Sequence, residues 1–378
     1  MIKERKSNFE LMRIVAILMI IYYHLIIHGN MLDNSRNINF TFVNEVIKFF
    51  VIVHVNLFIL LSGYFQCKSK FRLSKVFSLV GEILFYSIII TVILKLTGLI
   101  DIDKVHFIRQ IFLTENSGQY WFVKIYLYLY CLSPFINLLI DKLDKNKFKK
   151  LLIVLLILIS IIPFITGNRG LFLNDGFSLY NAIFIYLIGA YFRIYPVKES
   201  YHFKGLTIKG YQTILIVIYL LATLFNYLLY KTSSILVLNN SIFNEFFSNI
   251  INTIFQYQNP IIIVQASALF LFFESLNIGS NKIINKLASY VLGIYLIHEH
   301  FLFQSHIYKL LRIDHGNIYS FRFILYAFLI MLIIFIGGSI IECLRKFIFK
   351  LIGNFKVSKN IRIKFKNYFN DLGLKINW

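Results

Sequence analysis

Proline, cysteine and charge are all scarce in this chain, and each shortage closes off a class of protein. Four prolines in 378 residues leave long stretches free of the residue that breaks helices. The three cysteines, Cys67, Cys131 and Cys343, have no paired spacing of the kind that frames a disulfide scaffold or a zinc ligand set. Only 15% of residues are charged, against about 25% in ordinary soluble domains. Acidic residues are the scarcer sign, 18 against 39 Lys and Arg, for a formal net charge of +21. Such a surplus suits nucleic acid where it forms a continuous basic surface. Here the basic residues sit in short clusters between apolar runs, which argues against a nucleic-acid partner. What the chain has in excess is apolar surface, 58% of residues, and that points to lipid as its solvent.

A membrane-spanning helix needs about 20 mostly apolar residues. Runs that meet this are 10–28, 43–65, 76–97, 119–140, 151–166, 179–195, 211–230, 260–277, 287–306 and 323–344. The expected fold is therefore all-α, a polytopic bundle of about ten transmembrane helices. Lys and Arg favour cytoplasmic connections. With the N-terminus inside, the inner segments hold 27 of them and the outer segments 8, which places both termini on the cytoplasmic side. The start is not read as a cleaved signal, because Glu10 and Arg13 interrupt the apolar run and no small-residue cleavage site follows. Two units result: a membrane domain over 1–344 and a basic, amphipathic cytoplasmic tail over 345–378, suited to an anionic leaflet. The external connection 231–259 is either a short surface helix or lid, or a loose loop.

Ionisable groups at membrane depth are costly, so each needs a partner or a purpose. The first helix carries Glu10, Arg13 and His24. Arg13 and His24 are eleven residues apart, which at about 100° per residue returns to the same face, roughly 16 Å further along the axis. Glu10 and Arg13, three apart, can pair locally. Taken singly, Arg13 reads as a snorkelling residue at a helix end, and His24 as a buried histidine bonded to a neighbouring helix. Together they place a cation at the cytoplasmic mouth of an interior groove and an imidazole deeper inside it.

An Arg, ten intervening residues and a His in the first helix is the pattern of the acyltransferase-3 family of membrane-bound O-acyltransferases, which this segment resembles. Further along, Asn56 to Phe65, with Ser62-Gly63-Tyr64-Phe65, resembles the family's second-helix ending. Tyr120-Trp121-Phe122 and Leu132-Ser133-Pro134-Phe135 resemble its fourth helix, Tyr186 to Arg193 its sixth, and Gly293 to His298 a late one. The likeness runs in order from about 8 to 305. Relatives often carry an Arg-rich stretch after the second helix. Here it is Lys68-Ser-Lys70-Phe-Arg72, with one Arg, and Lys binds phosphate without the bidentate fork.

The resemblance implies transfer of an acyl group, most simply acetyl from acetyl-CoA, to a hydroxyl of a cell-surface polysaccharide or its lipid-linked precursor, in a bacterial plasma membrane. His24 is then the expected general base, since an imidazole titrates near working pH, with Arg13 and Glu10 beside it in the catalytic set. Arg13, Lys68, Lys70, Arg72 and Ser62 are expected to hold the donor at the inner surface. Trp121, His298 and Glu299 are candidates for the acceptor, although a structural hydrogen bond explains His298 and interfacial anchoring explains Trp121. No metal is expected, since His298 and His300 are two apart and face opposite ways on a helix. The competing expectation is a transporter or flippase for a glycan or its lipid carrier. Such proteins show inverted repeats and helices broken near mid-membrane, and no repeat is found. A glycan polymerase, which needs large external loops, ranks last.

Overall fold

The computed structural model describes residues 6–29, 38–101, 103–111, 120–167, 176–200, 203–239, 242–310 and 322–353. The helices are α1 (Ser7–His28), α2 (Ile38–Val51), α3 (His54–Gln66), α4 (Leu73–Leu96), α5 (Lys104–Ile111), α6 (Trp121–Asp141), α7 (Lys145–Leu155) and α8 (Ile162–Thr166). They continue as α9 (Leu179–Ile194), α10 (Ile208–Leu238), α11 (Asn244–Thr253), α12 (Pro260–Ser275), α13 (Lys282–Ala288), α14 (Val291–His298), α15 (Phe301–Leu310) and α16 (Arg322–Gly353). The described residues contain no strand, so the all-α expectation holds.

Among the described residues, seven stretches are long and apolar enough to cross a membrane: Ser7–His28, Phe42–Gln66, Leu73–Leu96, Trp121–Asp141, Lys145–Thr166, Ile208–Leu238 and Ile324–Leu351. Two further apolar helices, α9 and α12, have 16 residues each. These nine fall on expected segments. The remaining expected segment, 287–306, is not one continuous helix: it is broken at Glu299-His300 between α14 and α15. No Gly or Pro marks the break. One carbonyl left open at the end of α14 is met by a side chain, the Tyr120 hydroxyl donating to Leu296 O at 2.6 Å, and His298 Nδ1 adds a second bond within the helix to Ile294 O at 2.7 Å. Irregular backbone at membrane depth is tolerated where protein buries it, and His298 and His300 are fully buried.

Other differences are smaller. The short fifth segment gains a turn at its start, running from Lys145 through a π-helical stretch, Leu156–Ile161, into α8. Within 231–259 lies a short helix, α11, whose Ile250 packs with Ile254 against Phe49. Helix α16 continues past 344 to Gly353, and Arg345 pairs with Glu82 and Glu342. Residues 354–378, the rest of the expected tail, lie outside the described residues.

Helix α1 is the seam of the molecule. Its first half, Phe9, Met12 and Ala16, packs into a core built mainly from α3, α9, α10 and α12. Its second half, Ile17 to Ile26, packs into another built from α4, α14 and α16. The N-terminus of α1 is pinned by Asn8, which donates to Phe273 O and Glu274 O, and by Ser7, which bonds Asn285. Outward faces carry Leu221, Leu224, Phe225 and Leu228 on α10 and Ile333, Ile336 and Ile340 on α16, all exposed. Exposed aliphatic stripes of this kind are stable in hydrocarbon.

Two glycines from the sequence motifs explain how α3 and α9 meet. A Cβ on Gly63 would lie 2.0 Å from Tyr186 O, and one on Gly189 would lie 2.1 Å from Leu60 O. Each helix uses its glycine to admit the other's backbone, the usual small-residue solution between membrane helices. Arg193 and Tyr64, neighbours of these glycines, bond each other at 3.2 Å. Gly63→Ala is therefore expected to cost about 1–3 kcal/mol through forced separation of the helices. Thermal unfolding in detergent reads this against Gly81→Ala, whose Cβ would meet nothing within 4 Å and which should leave the transition in place.

Candidate active site

Arg13, Ile17 and Ile20 line one wall of a cavity of about 520 Å³ between α1, α3, α4, α6, α14 and α16. These positions and His24 follow one another along a single face of α1, as helical periodicity requires. The Arg13 end of the cavity is polar: Arg13, Ser62, Gln66, Ser69, Lys75, Ser289 and Lys346 all line it. They come from the start of α1, the end of α3, the start of α4, the start of α14 and the end of α16, which gather at one end of the bundle. Further in, the lining turns apolar and aromatic, with Ile17, Ile20, Phe58, Phe122, Val123 and Tyr295. It stops one turn short of the histidine, because Ile20 precedes His24 by four residues and Tyr295 precedes Glu299 by four.

At that inner end three side chains converge from two distant parts of the chain. His24 Nδ1 lies 2.6 Å from Glu299 Oε2 and 3.2 Å from His298 Nε2. The proton positions follow from valence. A carbonyl only accepts, so His298 Nδ1, 2.7 Å from Ile294 O, carries the hydrogen and its Nε2 the lone pair. His24 Nδ1 thus faces two acceptors and must donate. The lone pair of the neutral His24 imidazole is then on Nε2. A carboxylate behind Nδ1 that holds this tautomer is the arrangement by which histidine bases are oriented.

A second histidine nearby is excluded from such a role by its bonds. His54 Nδ1 donates to Val51 O at 2.6 Å, and its Nε2 accepts from the Tyr257 hydroxyl at 3.1 Å. Both nitrogens are in use, and the ring serves as a brace at the break between α2 and α3. Trp121 stacks on Tyr257 at 5.8 Å and meets Phe177 edge-on at 4.4 Å. It belongs to an aromatic wall with Tyr257 and His54, outside the cavity lining. Its neighbour Tyr120 is the one non-glycine residue among those described with positive φ, 52°, and its hydroxyl secures α14 as noted.

The expected donor-binding residues divide. Arg13 and Ser62 line the cavity, and Ser62 Oγ donates to Phe58 O. Glu10 is buried and pairs with Arg13 at 3.0 Å. Lys68, Lys70 and Arg72 are exposed in the α3–α4 connection and do not line it. The cations that join Arg13 are Lys75, one turn further on, and Lys346, whose Nζ donates to Ser289 O at 2.5 Å. Lys75 stood in the same basic cluster as Lys68, and helical register inside α4 is what turns it inward. Lys346 gave no local signal, since its partner is 57 residues away. The buried polar groups Glu82 and Asn56 also find partners: Glu82 pairs with Arg345 at 3.0 Å, and Asn56 donates to Tyr257 O at 2.9 Å.

A bundle of apolar helices around a cavity with cations at one end, and a histidine beside a carboxylate beyond the other, defines a multi-pass membrane protein. The family model for the acyltransferase domain of the acyltransferase-3 family matches residues 6–343, so the chain belongs to that family. No curated protein and no solved structure matches the chain. Membership accounts for the sequence likeness in α1, and the protein is a membrane acyltransferase.

Proposed function

We propose that the protein is an O-acyltransferase that moves an acetyl group from acetyl-CoA to a hydroxyl of a cell-surface polysaccharide or its lipid-linked precursor, in a bacterial plasma membrane. The observation that carries this reading is the polar gradient of one cavity, cations at the end where α1 starts and the His24–Glu299 pair beyond its other end. With the Arg13 end in the cytoplasm, as the Lys and Arg distribution favours, the charged part of CoA meets Arg13, Lys75 and Lys346. The thin pantetheine arm then runs along the apolar lining toward His24.

The reaction needs no group beyond these. His24 Nε2 takes the proton of the acceptor hydroxyl as its oxygen bonds to the thioester carbonyl. The carbon–sulfur bond breaks, and the imidazolium returns the proton to the departing thiolate, giving ester and free CoA. Glu299 stabilises the imidazolium while it lasts and keeps Nδ1 protonated, so it is a positioning residue. Tyr295 is buried, lines the cavity one turn before Glu299, and carries a hydroxyl that can donate to a developing oxyanion.

Two measurements test the reading. Acetyl-CoA should raise the unfolding temperature of the detergent-purified protein, and the effect should weaken as salt rises, because the contact is with phosphate charge. The double variant Lys75→Ala, Lys346→Ala should raise the KM for acetyl-CoA about tenfold or more with a smaller change in kcat, as expected when ground-state and transition-state binding are lost together. Indifference to acetyl-CoA in both wild type and variant would remove the donor assignment. Ester-linked acetyl groups on the host's surface polysaccharide, scored with and without the gene, identify the acceptor.

A further inference from the structure

His28 is exposed at the far end of α1, one turn beyond His24, and acyl transfer leaves it without a task. It shares a helical face with His24, the i, i+4 spacing by which paired histidines reach one ion. Across from them stands Glu299. One ligand atom from each of His24, His28 and Glu299 lies within 4.8 Å of the others.

The cluster is also short of hydrogen. His298 Nε2 and Glu299 Oε2 are both acceptors, and both face the single Nδ1–H of His24, at 3.2 and 2.6 Å. One hydrogen cannot serve both: it bonds His298 Nε2, and the buried Glu299 Oε2 is left without a hydrogen-bond donor. Buried acceptors without donors call for an explanation, and a cation supplies one. Two imidazole nitrogens and one carboxylate suit a borderline ion such as Zn²⁺, and they do not suit Mg²⁺, which prefers an oxygen shell.

We propose that His24, His28 and Glu299, with His298 Nε2 adjacent, form an inhibitory site for a divalent transition-metal ion of the Zn²⁺ type. The inhibition rests on His24 being the base, as argued above; the site itself does not. A neutral imidazole has one nitrogen lone pair. If the ion takes Nε2, the base is covered. If it takes Nδ1, the hydrogen displaced from Nδ1 sits on Nε2, and the base is again lost. Metal binding and proton abstraction at His24 therefore exclude each other whichever nitrogen the ion prefers.

The experiment uses the full-length protein purified in detergent and stripped with chelator. ZnCl₂ is titrated calorimetrically, with MgCl₂ as control, into wild type, His28→Gln and Glu299→Gln. One Zn²⁺ per chain is expected in wild type and none of comparable strength for Mg²⁺. Each variant should bind Zn²⁺ at least about tenfold more weakly, since even outer-shell partners cost that much. In the acyl-transfer assay Zn²⁺ should inhibit, EDTA should restore activity, and His28→Gln should keep basal activity while needing at least tenfold more Zn²⁺ for half inhibition. Exposure of His28 keeps folding out of the comparison. Absence of Zn²⁺ binding in wild type, or binding of equal strength in both variants, overturns the site. Zn²⁺ binding that follows the ligands in a protein without acyl-transfer activity upholds the site and overturns the function proposed above.

Discussion

Replacing His24 with alanine is expected to lower acyl transfer by about 10²- to 10⁴-fold, the range that general acid–base groups contribute, while the protein still reaches the membrane. The argument is one of hydrogen placement. His298 is held by the Ile294 carbonyl with its Nε2 lone pair outward, and Glu299 Oε2 sits 2.6 Å from His24 Nδ1. Both contacts force His24 to present Nε2 as its acceptor. Glu299→Gln keeps the shape and can still accept from Nδ1, but it no longer stabilises the imidazolium. Its loss in kcat should be smaller than that of His24→Ala and should come with an altered pH–rate profile, whereas a merely structural glutamate would leave the profile in place. Unchanged acylation in His24→Ala membranes would withdraw the role of base.

Loss of Glu342 is expected to cause the largest fall in stability among single substitutions. Glu342 is fully buried and gathers three partners: the Tyr86 hydroxyl at 2.5 Å, Arg345 through two bonds of 2.7 Å each, and Lys346 at 3.4 Å. Its carboxylate also fills the space beside Gly293, where a Cβ would come within 2.4 Å of Oε2. Glu342→Ala leaves Arg345 with Glu82 alone and strands the Tyr86 hydroxyl in apolar surroundings. Breaking one side of a buried pair costs about 3–5 kcal/mol, because the remaining charge loses its compensation. Thermal unfolding in detergent should show it, and Glu342→Gln, which keeps the volume and one acceptor, should lose less. Lys346 lines the cavity proposed to hold the donor, so the alanine variant should also bind acetyl-CoA more weakly. An unfolding temperature equal to wild type would mean the cluster is solvated and structurally idle.

Much of this architecture was legible before any coordinates, and its legibility had physical causes. Lipid demands long apolar helices, so spans such as 10–28 and 76–97 announce themselves by length. The shared face of Arg13 and His24 needed only the pitch of a helix, since both residues lie on one uninterrupted element. Gly63 and Gly189 were visible as motif residues, but that each admits the other's helix was not. Pair contacts between residues far apart in the chain leave no local trace. The same limit hid Lys346 and Glu342, read as parts of a tail and a terminal helix, and hid the break at Glu299-His300, which no Gly or Pro announces.

The chain's own pattern of apolar runs, basic clusters and one Arg-to-His spacing was enough to establish a helical membrane protein with a cation and an imidazole on one face of its first helix. That follows because solvent and helix pitch act locally, residue upon neighbour. Which cations join Arg13, which carboxylate orients His24, and why His54 is occupied as a brace were decided only when the helices packed. Those are encounters between side chains far apart in the chain, and their outcome depends on distances of a few ångströms that only the folded bundle sets.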